Sequence, residues 1–316
     1  MNEVLIVLAE TAVLALLLIP GFVFGKLKIG GDGLTKGFAD FILYVAQPAM
    51  LLSPYIRSFD SRILANMGVT ALFSFVCHGI FLIPAFLFFS KKKSDEDIAG
   101  RVYRFAVVFG NCGYMGIPLI RNILGDEATI YATVFNIGFQ VFLWTVGCCI
   151  ATGDRRYMSL KKLFLNPSVI SILIGILVFL LPVDRYIPSV FTSALDLLKT
   201  TVVPLSMFVV GFQMARNSFA GFFIDGKSWL AAASRLVVCP VLVFAVLLPV
   251  DMIFHIDKTL LTVIMIVSAT PCATVTSIFA EKFGMDKEIS GRLIPLSTIL
   301  SVITLPLIPL LVMLFP

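Results

Sequence analysis

The sequence predicts an all-α membrane protein with ten transmembrane helices, built as two inverted five-helix repeats whose fourth and ninth helices are broken and cross. Three observations predict this fold class: an extreme apolar composition, about ten apolar stretches of membrane-spanning length, and helix breakers at matching places in both halves. Of the 316 residues, 59% are hydrophobic and 14% are charged, and the mean hydropathy is +1.01. Soluble domains are typically about 45–50% apolar and about 25% charged, so this composition indicates a chain that resides in lipid.

Ten stretches are long and apolar enough to cross the hydrocarbon core, which takes about 20 residues of helix. They are predicted at residues 4–24, 36–55, 66–89, 103–121, 127–150, 164–182, 196–215, 229–250, 259–280 and 290–314. Continuous runs such as VISILIGILVFLLP lack the alternation of a transmembrane β-strand, and a helix satisfies its own backbone in lipid. The first span is expected to be a retained helix, because no basic segment precedes it.

The two halves of the chain carry corresponding helix breakers. Span 4 contains GNCGYMGIPLIRNILGDEA and span 9 contains ATPCATVTSIFAEKFGMDKE, with Asn111 opposite Thr270 and Gly125 opposite Gly284 at a constant offset of 159. Each half has five spans, so the second half must enter the membrane from the opposite side. The sequence therefore predicts an inverted-topology repeat.

Domain boundaries and orientation follow from the same count. Residues 1–150 are the first repeat, with spans 1 to 5, residues 151–162 are a cytoplasmic connecting loop, and residues 163–316 are the second repeat, with spans 6 to 10. The odd-numbered loops carry 17 Lys and Arg residues against 6 in the even-numbered loops. By the positive-inside rule, this bias predicts a multi-pass protein of the cell membrane with both termini outside.

Several function classes are disfavoured by composition. The six cysteines fall within predicted spans without a CxxC pair, and His78 and His255 lie far apart, so neither a metal site nor a cofactor is expected. An enzyme would need a cluster of acid, base or nucleophile, and a channel would need a polar pore or charged rings; the spans show neither pattern. The net charge of +5 is attributed to topology and contact with anionic lipid, so no nucleic-acid partner is expected.

Broken helices at membrane depth point to a function. Irregular backbone is tolerated there only where protein or a water-filled cavity surrounds it, and discontinuous helices of inverted repeats build substrate sites in secondary transporters. A half-helix that starts at such a break presents free N–H groups and a positive dipole end, which favours an anion. We therefore expect a secondary active transporter; the structural alternative, for a single Gly–Pro pair, is close helix packing.

Four segments carry a family resemblance: FGNCGYMGIPLI, LNPSVISILIGIL, PLSMFVVGFQMA and ATPCATVTSIFAEKF. Together they resemble the auxin efflux carrier family, which includes plant auxin exporters and bacterial malate and malonate permeases. The resemblance runs over nearly the whole chain, and its most specific motif is the Asn, four residues, then Gly-Ile-Pro of span 4. The middle loop ATGDRRYMSLKK is short where plant exporters often have a long hydrophilic segment, so the chain resembles a compact prokaryotic member.

The resemblance implies an NhaA-like fold, with a scaffold domain from spans 1, 2, 6 and 7 and a transport domain from the other six. It implies a permease or efflux carrier of small organic anions such as mono- or dicarboxylates, which alternates access by elevator-like motion. A homodimer through the scaffold helices is compatible with it. The alternative is a sodium-coupled organic anion symporter of the bile-acid transporter type, which Thr270, Thr274 and Thr276 leave open.

Candidate substrate-binding residues cluster at the two breaks and on the spans beside them. They are Asn111, Gly113, Gly116 and Pro118 at the first break, Thr270, Pro271, Ala273 and Thr274 at the second, Asn136 and Gln140 in span 5, and Gln47 in span 2. Asn111 is the leading candidate, because its amide can donate to and accept from a bound carboxylate. Structural alternatives are helix bending by the threonines, an interhelical hydrogen bond for Gln140, and satisfaction of released carbonyls by Gln47.

Charged residues inside spans are rare, and each is a functional candidate. Glu10 in span 1 could carry a coupling proton, although a role at the interface or in helix pairing is favoured. Arg235 in span 8 is expected to snorkel towards the cytoplasmic side; the alternative is a counter-charge for an entering anion. No acidic pair lies mid-helix in spans 4, 5, 9 or 10, which argues against a cation exchanger.

Overall fold

The computed structural model of the chain describes residues 2–31, 33–90, 97–181, 183–216 and 225–316. Regular structure in these ranges is helical, apart from one isolated β-bridge between Gly110 and Cys272. The α-helices are α1 Asn2–Leu16, α2 Leu18–Lys26, α3 Gly33–Phe41, α4 Gln47–Leu52, α5 Ser61–Phe88, α6 Ile98–Val108, α7 Ile117–Phe142, α8 Cys148–Thr152, α9 Leu160–Phe164, α10 Pro167–Leu180, α11 Ser189–Thr200, α12 Val202–Arg216, α13 Gly226–Ala233, α14 Cys239–Phe254, α15 Lys258–Ser268, α16 Val275–Phe283, α17 Lys287–Thr304 and α18 Ile308–Val312. Single π-helical turns adjoin them at Ile42–Ala46, Cys112–Gly116, Leu143–Gly147 and Ser234–Val238.

Six helical segments of the described residues are long and apolar enough to cross a membrane: Val4–Lys26, Ser61–Phe88, Cys112–Thr152, Ser189–Ala215, Gly226–Phe254 and Lys287–Val312. A bent pair, Arg155–Phe164 with Pro167–Leu180, is a seventh candidate. The prediction of an all-helical, multi-pass membrane protein is confirmed at this level.

The difference between seven segments and ten predicted spans has local causes. Predicted spans 4 and 5 run together in Cys112–Thr152, where Gly125 turns the chain at φ 84° and ψ −171°. Predicted span 2 coincides with helical residues 33–52, which include Lys36 and Asp40 and are not among these segments. Helices α6 and α15, at 11 residues each, reach only about 16 Å and cannot cross the membrane alone.

Polar side chains at the helix starts fix where several membrane segments begin. The Asp60 carboxylate accepts hydrogen bonds from the backbone N–H groups of Arg62 and Ile63 at the start of α5. Asn166 caps α10 in the same way, at 2.8 Å from the Ser168 nitrogen, and Pro167 follows it at the first helical position. These caps satisfy N–H groups that have no partner within the helix.

Helices α2 and α12 approach so closely that their contact requires glycine. A Cβ on Gly21 would overlap the carbonyl oxygen of Phe208, and a Cβ on Gly211 would overlap that of Leu18. Small residues at helix interfaces permit such backbone contact in membranes, where packing rather than the hydrophobic effect drives association. The two helices therefore form a tightly packed pair.

Replacing Gly211 with leucine is expected to destabilise the protein by about 1 to 3 kcal/mol or more, because the obstacle is backbone and cannot move aside. The measurement is the thermal unfolding midpoint of the purified protein in detergent. Gly68→Leu is the matched control, since a Cβ on Gly68 meets nothing within 4 Å. An equal midpoint for the two variants would contradict the close contact.

Candidate functional site

Two non-helical breaks meet in the interior of the bundle and pair with each other. The backbone nitrogen of Asn111 donates to the carbonyl oxygen of Pro271 at 2.7 Å, and the nitrogen of Ala273 donates to the carbonyl oxygen of Phe109 at 2.9 Å. These two bonds flank the antiparallel bridge of Gly110 and Cys272. The crossing thus satisfies backbone groups that would otherwise be unpaired at membrane depth, where each would cost several kcal/mol.

Local chemistry explains why the helices stop here. α6 gives way to extended backbone at Phe109, with φ −101° and ψ 104°, and helical structure resumes only after Asn111. On the other strand of the crossing, Pro271 lacks an N–H and disfavours helical backbone for the residue before it. Gly116 lets the second half of the first broken helix pack closely, since a Cβ there would lie 3.1 Å from the Thr270 methyl group.

A cavity of about 380 Å³ lies beside the crossing. Its wall is formed by the two breaks, the carboxyl end of α7, helix α16, the π-turns at Ile42–Ala46, Cys112–Gly116 and Leu143–Gly147, and the segment from α9 to the start of α10. The lining residues are Leu43, Tyr44, Gln47, Gly110, Asn111, Gly113, Tyr114, Asn136, Phe139, Gln140, Leu143, Trp144, Lys162, Leu165, Asn166, Pro167, Ala273, Thr274, Val275, Ile278, Phe279 and Lys282. π-turns are frequent at functional sites, and three of the four described here contribute to this wall.

Unsatisfied hydrogen-bonding groups are concentrated in this wall. Five lining residues have a buried side-chain atom with no partner among the described residues: Gln47 Oε1, Asn111 Nδ2, Asn136 Nδ2, Trp144 Nε1 and Thr274 Oγ1. Buried polar groups are normally paired, so each unpaired one requires an explanation. Most of these atoms are donors, and unpaired donors in the wall of a cavity are suited to an anion.

The electrostatics of the cavity favour negative charge. Lys162 and Lys282 line it, and no acidic side chain does so among the described residues. Lys282 Nζ lies 6.0 Å from the ring centroid of Trp144. Helix α16 begins at the cavity, with Thr274 as its N-cap and no side-chain cap bond, so the positive end of its dipole lies there. The N–H groups of Thr276 and Ser277 in its first turn already donate to the carbonyls of Ala273 and Thr274.

Seven of the eleven predicted site residues line the cavity: Gln47, Asn111, Gly113, Asn136, Gln140, Ala273 and Thr274. Asn136 and Gln140 share a helical face, as predicted, and Gln140 Oε1 also accepts a long hydrogen bond of 3.5 Å from Asn166 Nδ2. This bond is the interhelical contact that was the alternative reading of Gln140.

The other four predicted residues, Gly116, Pro118, Thr270 and Pro271, do not line the cavity. The Thr270 hydroxyl donates to the Val267 carbonyl at 2.8 Å, and the Pro271 carbonyl accepts from Asn111. Gly116 packs against Thr270, and Pro118 is buried in the first turn of α7. Their positions make them builders of the crossing rather than contacts for a ligand in this cavity.

The snorkelling predicted for Arg235 is wrong. Its side chain is only 1% exposed, and the guanidinium is hydrogen-bonded beneath the crossing rather than turned to the surface. It does not line the cavity either, because Gly110 lies between them. Glu10 is partly exposed and accepts a hydrogen bond of 2.8 Å from Asn122 Nδ2, a contact between α1 and α7.

Sequence reasoning missed several lining residues. Tyr44, Trp144, Lys162, Asn166 and Lys282 were not candidates, although Asn166 lies in the family-like segment LNPSVISILIGIL. Two signals were available: Trp144 lies four residues after Gln140, the same spacing that joins Asn136 and Gln140, and the two lysines fall in loops that the topology places on the same side.

Comparisons with known proteins find membrane transport proteins. Residues 6–309 match the family described as "Membrane transport protein". An uncharacterized transporter of Methanocaldococcus jannaschii is 25% identical over 305 residues, which cover 93% of this chain and 95% of the relative. An uncharacterized transporter of Methanothermobacter thermautotrophicus is 21% identical over 94% of this chain and 95% of its own. A candidate malonate transporter of Rhizobium meliloti is 23% identical over 84% of this chain and 82% of its own.

Proposed function

Because the chain belongs to the auxin efflux carrier family of membrane transport proteins, we propose that it is a secondary active carrier of small organic anions. The observation that carries the proposal is the cavity beside the crossing: its wall includes unpaired donor groups of Asn111, Asn136, Trp144 and Thr274, and among the described residues no carboxylate lines it. A carboxylate accepts several such hydrogen bonds, and bonds to a charged acceptor are the stronger ones.

The substrate class proposed is a mono- or dicarboxylate. The cavity volume of about 380 Å³ suits a small molecule, and its wall combines aromatic and aliphatic side chains with a few polar groups, as in most small-molecule sites. The similarity to a candidate malonate transporter favours a short dicarboxylate. Lys282 lies two turns beyond Thr274 along α16, about 12 Å away, so it is assigned to attracting anions at the entrance rather than to holding the same short ligand.

The transport mechanism proposed is alternating access between two domains. The cavity wall combines residues of predicted spans 2 and 6, such as Gln47 and Asn166, with residues of the crossing and α7. In the ten-helix, inverted-repeat arrangement these are the scaffold and transport domains, so the cavity lies at the interface that an elevator-like motion would shift. The positive φ of Gly125 (84°) and Gly284 (68°), at equivalent positions of the two repeats, supports that arrangement.

The orientation proposed places the cavity entrance in the cytoplasm. Lys162 and Lys282 belong to odd-numbered loops, which the positive-inside rule assigns to the cytoplasmic side of the cell membrane, and both termini are then outside. The conformation described is accordingly inward-open. A scaffold-mediated homodimer is part of the same proposal.

The test is uptake of radiolabelled malonate, malate and indole-3-acetate into proteoliposomes, with a proton or a sodium gradient imposed one at a time. We expect saturable uptake of at least one of the two dicarboxylates. Acceleration by the sodium gradient alone would favour the symporter of the bile-acid transporter type. Absence of carboxylate uptake under every gradient would contradict the proposal.

Binding can be followed separately through Trp144, which lines the cavity. The chain has two tryptophans, so Trp229→Phe leaves Trp144 as the single fluorescent reporter. We expect saturable quenching or enhancement by the transported dicarboxylate, with the same concentration dependence as uptake. Uncharged analogues such as the malonate diamide should give no change.

A further inference from the structure

Arg235 is a buried cation without an acidic partner. It lies in the π-turn Ser234–Val238, is 1% exposed, and forms no ion pair with a carboxylate among the described residues. Its Cζ lies 4.5 Å from the ring centroid of Phe81. Burial of an isolated charge is costly, so the surrounding groups must compensate for the lost water.

The compensation comes from oxygens at the two breaks. Nε donates to the Thr270 carbonyl at 2.9 Å, Nη1 lies 3.3 Å and 3.4 Å from the carbonyls of Val107 and Val108, and Nη2 lies 3.4 Å from that of Val267. Nη2 is also 3.5 Å from the Thr270 hydroxyl oxygen. Five oxygens therefore surround the five N–H donors of a guanidinium.

These oxygens share a structural origin. Val107 and Val108 end α6, Val267 lies in the last turn of α15, and Thr270 follows two residues after that helix ends, so both sets lie at the carboxyl ends of half-helices that stop within the membrane. The last carbonyls of a helix lack partners within it and carry the negative end of the dipole. One guanidinium neutralises both ends at once.

The guanidinium also lies directly behind the wall of the cavity. Gly110 lines the cavity, and a Cβ on this residue would overlap the guanidinium of Arg235 on its other side. The charge is thus separated from a ligand by little more than one peptide unit, and it acts in a region of low dielectric constant where its field is poorly screened.

We propose that Arg235 is the resident cation of the crossing: it occupies the carbonyl cluster at which carriers with broken helices bind a coupling metal ion, and it gives the cavity floor its preference for anions. In such carriers, unwound carbonyls and half-helix carboxyl ends coordinate Na⁺. Here the equivalent oxygens are already occupied by a covalently attached cation, so the crossing needs no metal ion for charge balance. The preference for anions rests on the proposed function; the occupation of the carbonyl cluster does not.

The first test examines the occupation of the carbonyl cluster through thermal stability, without any substrate. Arg235→Ala removes the cation and leaves its oxygens unpaired, so its thermal unfolding midpoint should fall and should rise again with low concentrations of guanidinium chloride. Sodium chloride at the same ionic strength should not reproduce the rise in full, and the wild type should show no rise with either salt. Stabilisation of the wild type by sodium would overturn the proposal, since it would show that the folded protein binds a sodium ion.

The second test measures the preference for anions through Trp144 fluorescence in the Trp229→Phe background. Arg235→Ala should bind malonate at least 10-fold more weakly, and guanidinium should restore part of the affinity. Arg235→Lys keeps the charge with fewer donors and should stay within several-fold of the wild type. Cys239→Ala, one turn along the same helix and also near the Val107 carbonyl, is the matched control for packing and should bind as the wild type does.

The outcomes separate the two proposals. If the wild type binds no carboxylate but guanidinium still rescues the stability of Arg235→Ala, the resident cation stands and the proposed function fails. If the wild type binds malonate and folded Arg235→Ala binds it equally well, the proposed role of the charge fails. Should Arg235→Ala not fold, Arg235→Lys decides: a folded lysine variant that has lost 10-fold or more in affinity contradicts a role for the charge.

Discussion

Asn111→Ala is expected to weaken the binding of a dicarboxylate by about 10- to 150-fold, which corresponds to the loss of one hydrogen bond to a charged group. The side-chain nitrogen of Asn111 is buried in the cavity wall and has no partner among the described residues. The backbone of this residue pairs with Pro271 through its own N–H, which alanine keeps. The variant should therefore fold, and the loss should appear in affinity rather than in yield or thermal stability.

The measurement is Trp144 fluorescence titration, together with saturable uptake by proteoliposomes. Asn66→Ala is the matched control, because Asn66 is also within a membrane helix but donates to the Tyr131 hydroxyl instead of the cavity. Asn111→Asp adds a negative charge at the same place and should reduce binding of an anion further than alanine does. Unchanged affinity in folded Asn111→Ala would remove this residue from the proposed site.

The crossing could be predicted from sequence because its cause is local. Glycine and proline interrupt helices through the chemistry of their own backbone, so GNCGYMGIP and ATPCATV report the breaks wherever they occur. The hydropathy pattern places both breaks at membrane depth. From these two facts the pairing of Asn111 with Pro271 could be anticipated as a meeting of two breaks, though not as the particular hydrogen bonds.

The role of Arg235 could not be predicted, because it depends on residues that are distant in the chain. Its acceptors lie up to 128 positions away, at Val107, and 35 positions away, at Thr270. A sequence gives the depth of an arginine only approximately, and near a membrane surface snorkelling is the usual expectation. What decides against it here is the cluster of helix carboxyl ends, which exists only after the two halves have packed together.

The cavity wall was predictable in part, where its residues lie on one face of a single helix. Asn136 and Gln140 were found because a spacing of four residues places them on one face of one helix. Trp144 continues that spacing, four residues beyond Gln140 in the continuous segment Cys112–Thr152, and was a missed signal. Asn166 and Lys162 come to the cavity through the packing of α9 and α10 against α7, which no spacing within a single helix encodes. Conversely, Thr270 was a reasonable candidate by position, but its side-chain hydroxyl contacts Val267 and Arg235.

Gly113→Phe is expected to abolish uptake and binding while the protein remains folded. Gly113 lines the cavity, and a Cβ on it would lie 3.3 Å from the side-chain nitrogen of Gln47, across the proposed boundary between the two domains. Gly113→Ala should be tolerated with a loss of several-fold at most, because the Gln47 amide is the end of a flexible side chain and can shift by a few tenths of an ångström. A phenyl group is much larger than a methyl group, so it is expected to take up the space beside Asn111 and Gln47 that a ligand would need.

Comparison of Gly113→Phe with a control variant distinguishes a blocked cavity from a damaged fold. Gly68→Phe places the same ring where a Cβ meets nothing within 4 Å, so it should leave both uptake and the unfolding midpoint unchanged. If the cavity is the route of the substrate, Gly113→Phe loses Trp144 fluorescence changes and uptake together, with an unfolding midpoint close to that of Gly68→Phe. Uptake that persists in folded Gly113→Phe would mean that the substrate crosses elsewhere, because an anion and a phenyl ring cannot both occupy the space beside Asn111.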